Sequence, residues 1–173
     1  MKPIAAMLIV AALMMWGIKR FYADAAVDRL RWMLAPTSAV VTAATGVRFE
    51  HQPGEGYVSR ARMFVIAKAC AGINFLIAAF GMIAWTLRRR VRSIRGAGVV
   101  LVVSLLASYA AAVLVNASRI AAALWLSGYE LRGISGLQLH RLEGITCYFV
   151  GLVLLFELLR LIDTRRRSSF ITR

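Results

Sequence analysis

The sequence predicts an all-α polytopic membrane protein with about four transmembrane helices, short interfacial helices and a small hairpin on the outer side. Three observations lead to this fold class. The chain has 173 residues, of which 60% are hydrophobic. Its mean hydropathy is +0.69. Its charged residues gather at the edges of long apolar runs, as they do where charge fixes membrane orientation. A soluble domain of this length keeps more polar residues for its surface, so we expect one membrane-embedded domain over residues 1–173.

Four apolar runs predict the spanning helices, because each approaches the ~20 residues that cross the hydrocarbon. They cover residues 4–18, 70–87, 97–115 (with an extension to 126 left open) and 139–162. The first run also resembles a signal peptide. Lys19 and Arg20 follow it at once, which favours an uncleaved anchor.

The net charge of +14 is explained by two arginine clusters beside these runs. The loop 88–96 carries five arginines, and Arg165–Arg167 lie in the tail 163–173. Basic residues in short loops mark the cytoplasmic side, so the loop and the C-terminal tail are expected to be cytoplasmic and the segment 19–69 to lie outside. No nucleic-acid partner is predicted, since no basic-aromatic surface accompanies the charge; the lipid bilayer is the expected partner.

The outer segment predicts small elements of its own. Residues 25–34 are mixed in charge and favour a helix at the interface, which Pro36 is expected to end. Residues 37–45 predict a second short helix. Whether 25–45 rests at the interface or re-enters the membrane stays open. Extended pieces at 47–51 and 57–68, on either side of the turn 52–56, predict the hairpin.

The predicted topology places Cys70, Arg119 and His140 at the outer ends of three spans. Bundle packing would bring such helix ends together. A helix N-terminus and the nearby Lys68 would favour the thiolate of Cys70, which is the nucleophilic form. Asn74, one turn further along, could hydrogen-bond near the sulfur. The alternative is that Cys70 is simply a small apolar residue at a helix end.

Arg119 stands among apolar residues, where an arginine is costly and is by default a functional candidate. Its donors suit a developing oxyanion or a substrate carboxylate, and the alternative is snorkelling to lipid phosphates. Asn116 precedes it by one turn. His140 is either a general base or an interface residue, and Glu143 could pair with Arg119 or orient His140. Two separated histidines and two separated cysteines give no metal-ligand spacing, so neither a metal nor a cofactor is expected.

Three short blocks give the chain a family resemblance. They are Ala69-Cys70-Ala71-Gly72-Ile73, Asn116-Ala117-Ser118-Arg119-Ile120 and His140-Arg141-Leu142-Glu143-Gly144. In this order they resemble the Cys-(Ser/Ala)-Gly, Asn-x-x-Arg and His-x-x-x-Gly blocks of the exosortase/archaeosortase family. The resemblance covers about residues 34–159. Many members of the family have about eight spans, whereas this chain has about four. The chain therefore resembles the short forms of the family, exosortase K in particular.

The resemblance implies a membrane cysteine transpeptidase or peptidase of the bacterial inner membrane, with its site facing the periplasm or exterior. Its substrates would be membrane-anchored proteins with a C-terminal sorting signal: a short motif such as Pro-Glu-Pro, a spanning helix and a basic tail. Cys70 would be the nucleophile, His140 the proton shuttle and Arg119 the oxyanion or substrate-positioning group. Independently of the resemblance, their positions in the sequence make Asn74, Asn116, Glu143 and Lys68 the expected supporting residues.

Other classes of membrane protein are weighed against this one. A non-catalytic membrane assembly subunit or a transport subunit is the main alternative. The predicted spans lack the discontinuous helices and midplane charge pair that are typical of transporters. Rhomboid-like and site-two-like proteases are disfavoured because neither Gly-x-Ser-x-Gly nor His-Glu-x-x-His occurs.

Overall fold

The chain folds as a bundle of apolar helices with a small sheet, which confirms the predicted fold class. The computed structural model describes residues 3–126 and 136–171, and in the last helix the side chains of Leu142 and Gly144–Ile162. Within those residues, four helical segments are long and apolar enough to cross a membrane. The helices are α1 (Pro3–Asp24), α2 (Arg31–Thr45), α3 (Ile73–Leu87), α4 (Ile94–Leu126) and α5 (Gly136–Ile171).

Helix α3 lies at the centre of the bundle. It packs against α1, α4 and α5. About 56% of its apolar window is buried inside the protein, whereas the corresponding window of α5 is 6% buried and so presents most of its side chains to lipid. Phe75, Phe80 and Leu76 of α3 are among the most deeply buried side chains.

The packing of α1 shows which helix ends meet. Near its start, Met7 packs against Val91 and Val100, beside the arginine-rich turn between α3 and α4. Near its other end, the Tyr22 hydroxyl bonds to the Lys68 carbonyl just before α3. At the same end, Asn116 of α4 donates to the Cys70 carbonyl, and Gly144 of α5 approaches Arg119. The end of α1, the start of α3, the C-terminal part of α4 and the N-terminal part of α5 therefore meet at one end of the bundle, which we call the site end.

Helix α2 corrects one expectation. The prediction that Pro36 ends a helix is wrong, because Pro36 is the sixth residue of the continuous helix α2. A proline in this position removes one N–H, which would have bonded to the carbonyl four residues earlier. That carbonyl, of Trp32, accepts a 2.7 Å hydrogen bond from the Tyr109 hydroxyl of α4 instead. At its far end, α2 stops at Gly46, which is left-handed (φ +73°) as helix C-terminal glycines commonly are.

The predicted hairpin is present and gains a third strand. Strands β1 (Glu50–Gln52), β2 (Gly56–Ser59) and β3 (Phe64–Ile66) form an antiparallel sheet in the order β1-β2-β3. The carboxylate of Asp28 accepts from the N–H of Gly54 at 3.0 Å, which fastens the β1–β2 turn to the segment before α2. Strand β3 leads directly into the turn that carries Cys70.

Candidate active site

Cys70 lies in a tight turn at the site end. It closes the 3₁₀ turn Lys68–Cys70, and its N–H donates to the Ala67 carbonyl at 2.8 Å. Helix α3 begins only at Ile73, so Cys70 precedes the helix instead of opening it. The Cys70 side chain is buried, at 6% exposure, and its thiol is in no disulfide. The turn fixes the backbone on both sides of the thiol.

Gly72 makes the approach of the Cys70 turn to α4 possible. Its φ is +67°, in the left-handed region that glycine tolerates best. A Cβ at this position would lie 3.2 Å from both Cβ and Cγ of Asn116. Glycine is therefore required here for its backbone conformation and for its lack of a side chain, which lets Asn116 pack directly over it.

Asn116 is the fully buried residue that ties the turn to the bundle. Its amide nitrogen donates to the Cys70 carbonyl. Its amide oxygen accepts from the Tyr148 hydroxyl at 3.1 Å. With one bond on each side of the amide, its orientation is determined, and α5, α4 and the Cys70 turn are joined in one chain of hydrogen bonds.

Arg119 follows Asn116 by one turn and packs against α5. A Cβ at Gly144 would lie 3.1 Å from its Nη1 atom, so the guanidinium rests against the α5 backbone where no side chain intervenes. Its Cζ lies 5.3 Å from the centre of the Tyr148 ring, a cation–π distance. The residue is only 8% exposed, which contradicts the alternative that it snorkels to lipid headgroups.

Two nitrogens of Arg119 are left available by this packing. Nε and Nη2 are buried and have no hydrogen-bond partner among the described residues. Together these two N–H groups form the planar edge with which arginine binds a carboxylate or phosphate through two parallel bonds. A buried, unpartnered donor pair is costly to maintain, and it suits an oxygen that arrives with a ligand.

Comparison of the chain with protein-family models, with curated proteins and with solved structures finds no match. The function is therefore argued from the site itself.

The side chains of Lys68 and Asn74 form hydrogen bonds to α1. The Lys68 ammonium donates to the Ala23 carbonyl at 3.0 Å and lies 5.3 Å from the Tyr22 ring centre. Asn74 is exposed, and its side-chain oxygen accepts from the Lys19 ammonium at 2.7 Å. Both residues hold the end of α1 against the start of α3, and Asn74 turns outward instead of toward the cysteine.

Two tyrosines that were not predicted from the sequence belong to the site. The Tyr22 hydroxyl donates to the Lys68 carbonyl in the turn that carries Cys70, and the Tyr148 hydroxyl donates to the side-chain oxygen of Asn116, which holds that turn. A signal for Tyr148 exists in the sequence, because it follows Gly144 by four residues and so shares its helix face. Tyr22 could have been found from its place at the end of the first apolar run, level with Cys70.

His140 and Glu143 belong to helix α5, but their side chains lie outside the described residues. Among the described residues no group of three or more His, Cys, Asp or Glu side chains could hold a metal ion.

Proposed function

We propose that this protein is a membrane cysteine transpeptidase or peptidase that cleaves C-terminal sorting signals at the outer membrane face. One observation carries the proposal: a buried thiol on a fixed turn is tied through Asn116 to the helix turn of Arg119, whose Nε and Nη2 have no partner among the described residues. Nucleophile and oxyanion donor on adjoining elements are what acyl transfer requires. The resemblance of the three blocks to exosortases supports the same assignment.

The reaction begins at the Cys70 sulfur. The thiolate attacks the scissile carbonyl carbon, and the carbonyl oxygen becomes an oxyanion that the Nε and Nη2 donors of Arg119 stabilise. The tetrahedral intermediate collapses with loss of the amine, to which His140 gives a proton, and a thioester to Cys70 remains. An acceptor amine, hydroxyl or water then attacks the thioester, and its proton returns to His140 as the thiolate leaves.

The membrane is expected to fix the position of the substrate relative to the site. A substrate that carries one spanning helix can lie beside the bundle, so that the bond preceding its helix stands level with the site end. We place this end on the periplasmic or exterior side and the arginine-rich turn Arg88–Arg90 on the cytoplasmic side, in accordance with the positive-inside rule.

The activity test is co-expression with a reporter that ends in a Pro-Glu-Pro-like motif, an apolar span and an arginine tail. We expect C-terminal trimming by the wild type and none by Cys70→Ala or His140→Ala. Arg119→Lys should lose most activity, because lysine keeps the charge but lacks the paired planar donors. Cys147→Ala is the matched control and should trim normally. Normal trimming by Cys70→Ala would instead support the non-catalytic assembly or transport subunit.

Orientation has a separate test on a background without cysteines (Cys70→Ala and Cys147→Ala). Met63 is 94% exposed on the sheet side, and Ser93 is exposed beside the arginine-rich turn. An impermeant maleimide applied to spheroplasts should label Met63→Cys at once and Ser93→Cys only after permeabilisation. The reverse pattern would contradict the proposed orientation.

A further inference from the structure

A basic groove that Cys70 does not line is found where the end of α2 meets the sheet. Its volume is about 490 Å³. Arg48, Arg60 and Arg62 line it together with a single carboxylate, that of Glu50. All three arginines are exposed, and they make no ion pair within the part of the chain that the structure describes. Three positive charges against one negative charge make this groove attractive to an anion.

The floor of the groove has an unsatisfied donor. Ser59, at the end of β2, lines it and is 1% exposed. The Ser59 hydroxyl is buried and has no hydrogen-bond partner among the described residues. A buried hydroxyl usually finds a partner, and a bound oxyanion would supply one.

The end of helix α2 does not account for these arginines. Cations commonly gather at a helix C-terminus to bond its last carbonyls. Here the Val41 carbonyl accepts from the Thr45 hydroxyl at 2.8 Å, and the Thr42 carbonyl accepts from the Gly46 N–H at 2.8 Å. No hydrogen bond joins Arg48, Arg60 or Arg62 to a carbonyl of α2 among the described residues, so the guanidinium donors remain available to a ligand.

An apolar cavity of about 340 Å³ adjoins the groove. The two share Thr45, Val47 and Arg62. The second cavity continues along Leu124 and Trp125 at the end of α4. Trp125 is 68% exposed at the end of a candidate span, the place where tryptophan marks the membrane interface.

We propose that the basic groove binds the phosphate group of a membrane lipid, with an acyl chain of that lipid running along the adjoining cavity past Trp125. The arginines and Ser59 supply donors for the phosphate oxygens. The apolar cavity selects a phosphate that carries a hydrocarbon chain over a soluble one. This site is independent of the Cys70 chemistry.

Trp125 provides the reporter for the test. Trp16, Trp32 and Trp85 are all exposed, so each can be replaced by Phe without opening the core. The full chain is placed in phosphatidylcholine nanodiscs, and phosphatidic acid with brominated acyl chains is titrated in. Bromine quenches tryptophan fluorescence on contact, so quenching measures the occupancy of the adjoining cavity.

The matched variants remove equal charge from the same side of the protein. Arg60→Gln with Arg62→Gln changes the groove, whereas Arg29→Gln with Arg31→Gln removes two exposed arginines that do not line it. We expect the half-saturating lipid fraction to rise about tenfold or more in the groove pair, since a charged hydrogen bond contributes about 1.5–3 kcal/mol. It should stay within about twofold in the control pair, and Ser59→Ala should raise it several-fold.

An equal rise of the half-saturating lipid fraction in both pairs of variants would contradict binding in the groove, because it would indicate general attraction to an anionic surface. A separate arm adds inorganic phosphate. Little displacement of the lipid at millimolar phosphate is expected, and displacement as efficient as by the lipid itself would overturn the lipid as ligand. Melting temperatures of the variants, measured alongside, should match the wild type, since all four arginines are exposed.

Discussion

Tyr109 donates its hydroxyl hydrogen to the carbonyl of Trp32, the one carbonyl of α2 that Pro36 deprives of its helical partner. The donor comes from a different helix, 77 positions along the chain. The two rings also stack, with centres 5.9 Å apart. The tolerance of α2 for an interior proline is thus a property of its packing against α4.

Tyr109→Phe should therefore destabilise the protein by about 1 kcal/mol, since the Trp32 carbonyl loses its hydrogen bond from the Tyr109 hydroxyl. Pro36→Ala restores the missing N–H, so in that background the same change should have a smaller effect. Thermal unfolding of the four proteins in detergent gives the double-mutant cycle. Equal effects in the two backgrounds would contradict the compensation.

Gly72→Ala should impair both folding and activity. The left-handed backbone alone opposes alanine by about 1–2 kcal/mol, and its Cβ would in addition press on Asn116. Gly46→Ala is the matched control, because Gly46 has a similar φ of +73° with nothing within 4 Å of its Cβ position. Melting temperature and reporter trimming should both fall further for Gly72→Ala. Indistinguishable variants would mean that the Asn116 contact is unimportant.

Gly144→Ala should separate stability from activity. Alanine favours a helix over glycine by about 1 kcal/mol, so the melting temperature should hold or rise. Its Cβ would lie 3.1 Å from Nη1 and displace the Arg119 guanidinium. The guanidinium would then have to move by a few tenths of an ångström. Because misplacing a catalytic group by about 1 Å can lower a rate about 100-fold, we expect this smaller shift to lower trimming several-fold, while Gly98→Ala, which meets nothing within 4 Å, trims normally.

Tyr148→Phe tests the hydrogen-bond chain. It removes the bond to Asn116 and keeps the ring that faces Arg119. Loss of a neutral hydrogen bond of about 1 kcal/mol should lower the trimming rate about fivefold. Tyr148→Leu removes the ring as well and should lower it further. Tyr109→Phe loses a comparable bond remote from Cys70, so it should affect stability without slowing trimming.

Much of the fold follows from the sequence because a bilayer imposes simple rules. Length and hydropathy set the spanning helices, and the extension of the third run became the single helix α4 through Leu126. The turn-forming residues 52–56 gave the hairpin. The residues of β3 were predicted as part of one extended piece, 57–68, which the 3₁₀ turn Arg60–Arg62 divides into β2 and β3, and only the tertiary structure pairs these two strands. Pro36 was misjudged for the same kind of reason, since Tyr109 lies far away in sequence.

The candidate site divides in a similar way. Asn116 and Arg119 share a helix face by their spacing, so their joint approach to the Cys70 turn could be expected. Lys68 and Asn74 are near Cys70 in sequence, yet their side chains bond to α1. Only the packing of the helix ends shows that Tyr22 and Tyr148 belong to the site.

What the sequence determined by itself is the membrane-embedded helical class and the three blocks that hold Cys70, Arg119 and His140, because hydropathy, charge bias and residue spacing are local properties. Tertiary structure alone decided which donors of Arg119 have no partner among the described residues, what a Cβ at Gly72 or Gly144 would contact, and what replaces the bond lost at Pro36. These depend on distances between helices that are remote in sequence, and such distances are fixed only when the side chains pack.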